Sequence, residues 1–254
     1  MSFKLISSII FLGTLCTAIP AMADNARTST DWSGQYIGIA VGSSYQKTDP
    51  NVDALLTDYF SPPDDVQLDP INSKDLSENE LAGSLFWGIN RQLENLVYGF
   101  ELDVNIADFD EQHSVDDISY ISAPGQSFSV STDVSSDWSV SLRPRIGYVW
   151  KKTLFFVTGG LAVTRFRYDF NYADKPVNDG TASLDESKTA LGITAGFGVE
   201  HKLEDGWAIR TEYAYANYND IVDKKSAIVG WGEGFKHEID HETHNLRIGI
   251  SKYF

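Results

Sequence analysis

From residue 96 to 107 the chain alternates. Leu96, Tyr98, Phe100, Leu102, Val104 and Ile106 fall on one face, and Val97, Gly99, Glu101, Asp103, Asn105 and Ala107 on the other. A period of two is the signature of a β-strand. Slipping this register by one would turn two carboxylates onto the apolar face. The same alternation recurs at 32–45, 80–90, 138–150, 154–170, 189–203, 207–218 and 245–254. In the last of these, Leu246, Ile248, Ile250 and Phe254 oppose a face that carries the full charge of Arg247. Apolar outside and charged inside is what a closed barrel in lipid needs. The pattern predicts an all-β fold, an eight-stranded antiparallel transmembrane β-barrel. Two stretches are irregular: beyond Arg165 the alternation inverts, and Pro144 predicts a bulge or local break because proline removes a ladder hydrogen bond.

The connections differ in kind. Those at 91–95, 151–153 and 204–206 are tight, whereas 46–79, 108–137, 171–188 and 219–243 are long, polar and acidic. Short periplasmic turns and four long extracellular loops are the expected division in an outer-membrane barrel. Aromatic residues gather near strand ends, as amphipathic rings do at bilayer interfaces. Trp32, Tyr36, Trp87, Tyr98, Tyr148, Trp150, Phe155, Trp207 and Phe254 make a belt at the short-turn end. Tyr45, Trp138, Phe166, Tyr168, Tyr213 and Tyr215 make one at the long-loop end.

Composition narrows the picture. Residues 1–23 read as a signal peptide: Lys4 precedes an apolar run, and Ala21-Met22-Ala23 forms an A-x-A cleavage site. The barrel domain is then 24–254. The single cysteine, Cys16, lies in the segment to be removed, which excludes disulfides, zinc-thiolate sites and a cysteine nucleophile from the mature chain. A net charge of −16 repels nucleic-acid phosphates.

The inward charges are the candidate site. Glu101, Asp103, Arg143, Arg145, Glu200, Arg210, Glu212 and Arg247 all fall on the polar faces of their strands. Counted from the short-turn end, Glu101 matches Arg145 in depth, Asp103 matches Arg143, Glu200 faces Arg210, and Glu212 lies one inward position below Arg247. An eight-stranded barrel has an interior only wide enough for side chains. Buried charges there need partners, so the network reads as a plug. A narrow diffusion channel tuned by the same charges is the alternative.

Enzymatic signals are weak. His237-Glu238-Ile239-Asp240-His241 spells H-E-x-x-H, but on a strand residues four apart lie roughly 13 Å from each other, too far to share one metal as they would on a helix. A looser site from His237, His241 and His244, taking metal or haem, is a third reading against solvated loop residues. No cofactor or metal is expected. The acidic loops, such as Asp108-Phe109-Asp110-Glu111, read as solvated surface or as divalent-cation ligands beside lipopolysaccharide.

Trp32-Ser33-Gly34-Gln35-Tyr36-Ile37-Gly38, the run from Leu96 to Asp103, and Leu142-Arg143-Pro144-Arg145-Ile146-Gly147-Tyr148 resemble motifs of a known family. So do Val157-Thr158-Gly159-Gly160-Leu161-Ala162, Gly196-Phe197-Gly198-Val199-Glu200 and His244-Asn245-Leu246-Arg247-Ile248-Gly249. The family is that of small porin-like outer-membrane β-barrel surface antigens of Gram-negative, especially alphaproteobacterial, bacteria. The resemblance implies the barrel fold and a location in the cell outer membrane. The roles it implies are porin-like, structural or host-facing. A monomer is expected, with outer-membrane lipid and lipopolysaccharide as partners and an extracellular or host surface as a further candidate.

Overall fold

A computed structural model describes residues 31–57, 59–60, 62–175 and 180–254; the expected signal peptide at 1–23 lies outside them. The strands are β1 (Gly34–Ala54), β2 (Leu76–Leu93), β3 (Leu96–Ser119) and β4 (Ser127–Trp150), then β5 (Thr153–Lys175), β6 (Thr181–Lys202), β7 (Trp207–Ile228) and β8 (Gly232–Tyr253). Each pairs antiparallel with its neighbours, and β8 returns to β1, so the sheet closes.

The lower half of this barrel is two-sided in the expected sense. Leu102 and Ile248 face outward, while Glu101 and Arg247 are buried. Ile39, Phe100, Leu142, Leu161, Ile193 and Ile209 continue the apolar exterior around the ring. Arginine introduced on this face should cost about 2–4 kcal/mol near the bilayer midplane. We expect Leu102→Arg to show that loss in urea unfolding from lipid vesicles; an unchanged midpoint would remove Leu102 from the lipid face.

Above this belt the strands do not end. Three of the four connections expected as long loops are largely ladder: β3 and β4 stay paired to Ser119–Ser127, β5 and β6 to Ala173–Thr181, and β7 and β8 to Ile228–Gly232. The fourth, between β1 and β2, folds a helix, α1 (Asp64–Asn72), whose Leu68 is buried. The sequence conceals these extensions because their outward residues meet water. Serine, aspartate and lysine there resemble loop composition while the backbone still pairs.

Two ladders stop early. Pairing of β2 with β3 ends at Gly83–Ile106, and pairing of β6 with β7 ends at Ile193–Asn217. The ring therefore splits above the belt into two four-stranded sheets, β2-β1-β8-β7 and β3-β4-β5-β6, packed face to face as in a sandwich. Between them lies an apolar core that includes Phe109, Phe128, Phe166, Phe170, Tyr172, Tyr218, Phe235 and Ile239, joined by Phe60 and Leu68 from the β1–β2 connection. Polar contacts tie the seams. Gln67 of α1 donates to the Ser119 carbonyl at 2.9 Å and accepts from the Ile121 amide at 3.0 Å. Lys188 donates to the Ile221 carbonyl at 3.1 Å, and Lys224 pairs with Glu186.

The apparent inversion beyond Arg165 is explained by this change of surroundings. Thr164, Phe166, Tyr168, Phe170 and Tyr172 are all buried and all share one parity, so β5 never changes face. Only the preferred polarity of each face changes, from apolar outward in lipid to apolar inward in water. Phe166 and Tyr168, expected in the upper belt, are core residues of the sandwich.

Pro144 faces out opposite Phe100, and the register with β3 runs through it unbroken. On the β5 side, Leu142 pairs with Leu161 and Arg145 with Thr158, with Arg143 and Pro144 unpaired between them and no register shift. The interruption is local. The bulge lies instead at Ser136–Ser139, which lets Ser136 and Trp138 take opposite faces despite their even spacing.

Candidate functional site

The eight charges form one enclosed layer at the level of the apolar belt. Four carboxylates, Glu101, Asp103, Glu200 and Glu212, meet four guanidiniums, Arg143, Arg145, Arg210 and Arg247, and all eight are buried. Glu101 is the hub. One of its oxygens accepts from Arg143 at 2.6 Å and from Arg210 at 2.8 Å; the other accepts from Arg210 at 2.5 Å and from the Tyr36 hydroxyl at 2.7 Å. Arg145 stands 3.5 Å from Glu101 and from Glu200. Glu212 accepts from Arg143 at 2.8 Å, Arg210 at 2.5 Å and Arg247 at 2.9 Å. Asp103 pairs with Arg247 at 2.8 Å.

Of the four expected matches in depth, one is found as counted and three shift. Glu200 is opposite Arg210, as counted. Glu101 is opposite Arg143 rather than Arg145, because β3 and β4 begin and end at different short turns and are staggered there by two residues. Asp103 consequently faces Ser141 and reaches across the lumen to Arg247. Glu212 is directly opposite Arg247, not one position below it.

Aromatic rings floor this layer. Trp32 and Tyr36 are fully buried, so neither belongs to the lower belt. Tyr36 shares its face with Gly38 and Ala40, and β-strand parity carries it inward. Its hydroxyl donates to Glu101 and accepts from Arg145 at 2.6 Å; Tyr253 closes a similar contact with Glu200 at 2.5 Å. A Cβ at Gly88 would stand 2.3 Å from the Tyr36 ring, so only glycine leaves room for it. Phe156 and Phe86 lie under Arg145 and Arg210, with guanidinium carbons 4.1 Å and 4.4 Å from the ring centres, a cation–π arrangement. These two tyrosines belong to the network although charge alone did not single them out; their parity with Gly38 and Ser251 was the available signal. Of the remaining belt residues, Trp87, Tyr98, Tyr148, Trp150, Trp207 and Phe254 are exposed, and Trp138, Tyr213 and Tyr215 are half-buried.

Above the charges, a cavity of about 10 Å³ is lined by residues that include Ser44, Gln46, Asn105, Ser136 and Thr164, which is about the minimum for one water. The sandwich core then covers it. Charge layer, small polar void and aromatic core stack along the axis.

His237 and His241 are not solvated loop residues. Both are buried in the sandwich. The two ring nitrogens of His237 contact Tyr168 and Ser226, each at 2.9 Å, and His241 Nδ1 contacts Thr48 at 2.9 Å. Burial pushes both imidazoles down to about 4. His244 faces the other way, among Tyr45, Tyr213 and Tyr215. A single ion ligated by all three would have to bridge the sheet.

Comparison with known proteins agrees with this architecture. The profile of the outer membrane protein beta-barrel domain family matches residues 9–251. The 31 kDa outer-membrane immunogenic protein of Brucella melitensis is 27% identical over 227 residues, covering 88% of this chain and 84% of that protein. The 22 kDa outer membrane protein of Rhizobium leguminosarum is 34% identical over 137 residues, 54% of this chain and 52% of that one. Among solved structures, the outer membrane protein OprG of Pseudomonas aeruginosa superposes with a TM-score of 0.50 at 11% identity, covering 90% of this chain and all of that one. It shares the fold.

Proposed function

Because the chain belongs to the outer membrane protein beta-barrel domain family, and so resides in the cell outer membrane, we propose that it is a sealed structural barrel. On this reading its working surface is the extracellular sandwich, and it is neither a pore nor an enzyme. The observation that carries the reading is the interlocked charge layer. Four acids and four arginines neutralise one another across the full width of the lumen. An ion would have to part guanidinium–carboxylate contacts of 2.5–2.9 Å and then cross an aromatic core. The network fixes the strands against one another, and the rigid ring holds the two upper sheets at a constant spacing. Relatives described as outer-membrane immunogenic proteins support surface exposure of that upper part.

Planar-bilayer recording tests the proposal. The folded protein is expected to add no stable conductance steps at high protein input, in low or high salt. Reproducible, salt-dependent steps would establish the narrow diffusion channel instead.

A further inference from the structure

Most of the sandwich's exterior cations already have acidic partners. Lys47 pairs with Asp49 and Asp75, Lys175 with Asp116, Lys224 with Glu186, Lys225 with Glu233, and Lys236 with Glu238. Arg165, like Lys74 just after α1, is not among them. It is exposed on β5, and among the described residues it has no ion-pair partner. Two residues above it on the same face, Arg167 is 45% exposed and meets Asp137 only at 3.8 Å. In a chain of net charge −16, two guanidiniums left this open are conspicuous by their position. Directly below them β5 presents Leu161 and Val163, and β6 presents Leu191 and Ile193; Leu161, Leu191 and Ile193 are more than half exposed, and Val163 is half-buried. Arg165 stands opposite Thr189 and level with the β4 bulge that carries Asp137 and the half-buried Trp138. Hydrocarbon ends here and headgroups begin.

We propose that Arg165 and Arg167 bind a phosphate of an outer-leaflet glycolipid, whose acyl chains lie against Leu161, Leu191 and Ile193. Arginine suits this role because its planar fork donates two parallel hydrogen bonds to phosphate oxygens. The carboxylates nearby set the limits of the site. Asp133, Asp169 and Asp185 form one register row across β4, β5 and β6. Asp169 is two residues above Arg167, about 7 Å along the strand, and four above Arg165, about 13 Å. Burial, then Asp185 and Asp133, hold the Asp169 carboxyl above its ordinary range. The row repels an anion from above, and Asp137 competes for Arg167. The phosphate therefore sits on the membrane side, with Arg165 as its principal contact.

Native mass spectrometry of the full barrel with defined ligands tests this. Bisphosphorylated lipid A should be retained by the wild type. R165E/R167E should weaken retention by at least roughly thirtyfold, the worth of two interfacial cations before the new carboxylates add repulsion. R165E alone should weaken it more than R167E alone, and R165K/R167K should retain most of it. R91E, on the exposed face at the opposite rim, should bind as the wild type does. Gel migration of the folded against the heated protein confirms that each variant is a closed barrel. Three results would each overturn the proposal: equal retention by wild type and R165E/R167E, equal retention of dephosphorylated lipid A by the wild type, and displacement of lipid A by millimolar inorganic phosphate, which would make the site one for a free anion.

Discussion

Glu101→Gln should lower the stability of the barrel by about 3–5 kcal/mol, the range for breaking a buried ion pair by removing one partner. Glu101 neutralises guanidiniums from two strands: Arg143 at 2.6 Å and Arg145 at 3.5 Å from β4, and Arg210 at 2.5 Å from β7. Its loss leaves four arginines facing three carboxylates. The loss should be read as a fall in the urea midpoint in lipid vesicles. The cause can be separated from mere loss of packing. Arg210 makes two of the hydrogen bonds to Glu101, and Glu101→Gln/Arg210→Met restores three charges of each sign. The double variant should be more stable than the sum of the two single losses predicts. Strict additivity would mean that the layer is a set of independent contacts. Removing Glu233 from its exposed pair with Lys225 should leave the midpoint where it was, since such pairs contribute little.

The second large effect is confined to the sandwich. Between pH 7 and pH 4, protection of the upper β7–β8 ladder against amide exchange should collapse while the belt stays folded. His237 is held among Tyr168, Ser226, Phe170 and Phe235, and His241 among Thr48, Phe109, Phe166 and Tyr218. Among the described residues no carboxylate contacts either ring. Burial lowers both groups from 6.5 to about 4 in the folded state, so as pH falls the unfolded chain binds protons first. The stability these histidines contribute is complete above about pH 6.5 and is lost as pH falls toward 4, amounting to roughly 3 kcal/mol for each. A His237→Phe/His241→Phe variant starts less stable at pH 7, because Tyr168, Ser226 and Thr48 lose partners, but its profile should lack the part of the loss that the two imidazoles cause. Undiminished protection of the wild type at pH 4 would mean that both imidazoles can charge without opening the core.

The bilayer-facing half of the protein was readable because lipid imposes one rule on every strand. Leu102 must face out and Glu101 in, and no other register satisfies both. Depth was harder. A count from the turns placed Glu101 beside Arg145, because strand stagger, which decides that Arg143 is the true neighbour, leaves no mark on a single strand. The aromatic residues misled for a related reason. Tyr36 has the chemistry of a belt residue, and only its parity with Gly38 reveals that it points into the lumen. The sandwich was hidden by its own solvent. Once β5 leaves the membrane, Arg165 and Arg167 are the outward residues and Phe166 and Tyr168 the inward ones, so an unbroken strand imitates a lost register. His237 and His241, set among acidic residues, looked solvated for the same cause.

The ladders that carry β3 to Ser119 and β4 from Ser127 determine how another molecule can read this protein. A folded strand shows an outside observer every second side chain, and the neighbours of each come from other strands: Asp133, Asp169 and Asp185 stand side by side although they are far apart in sequence. A synthetic peptide spanning 108–119 would present Phe109 beside Asp110, a juxtaposition that the native exterior never offers. Antibodies raised on such peptides should therefore recognise the denatured chain, whereas those elicited by intact cells should need epitopes assembled from several strands.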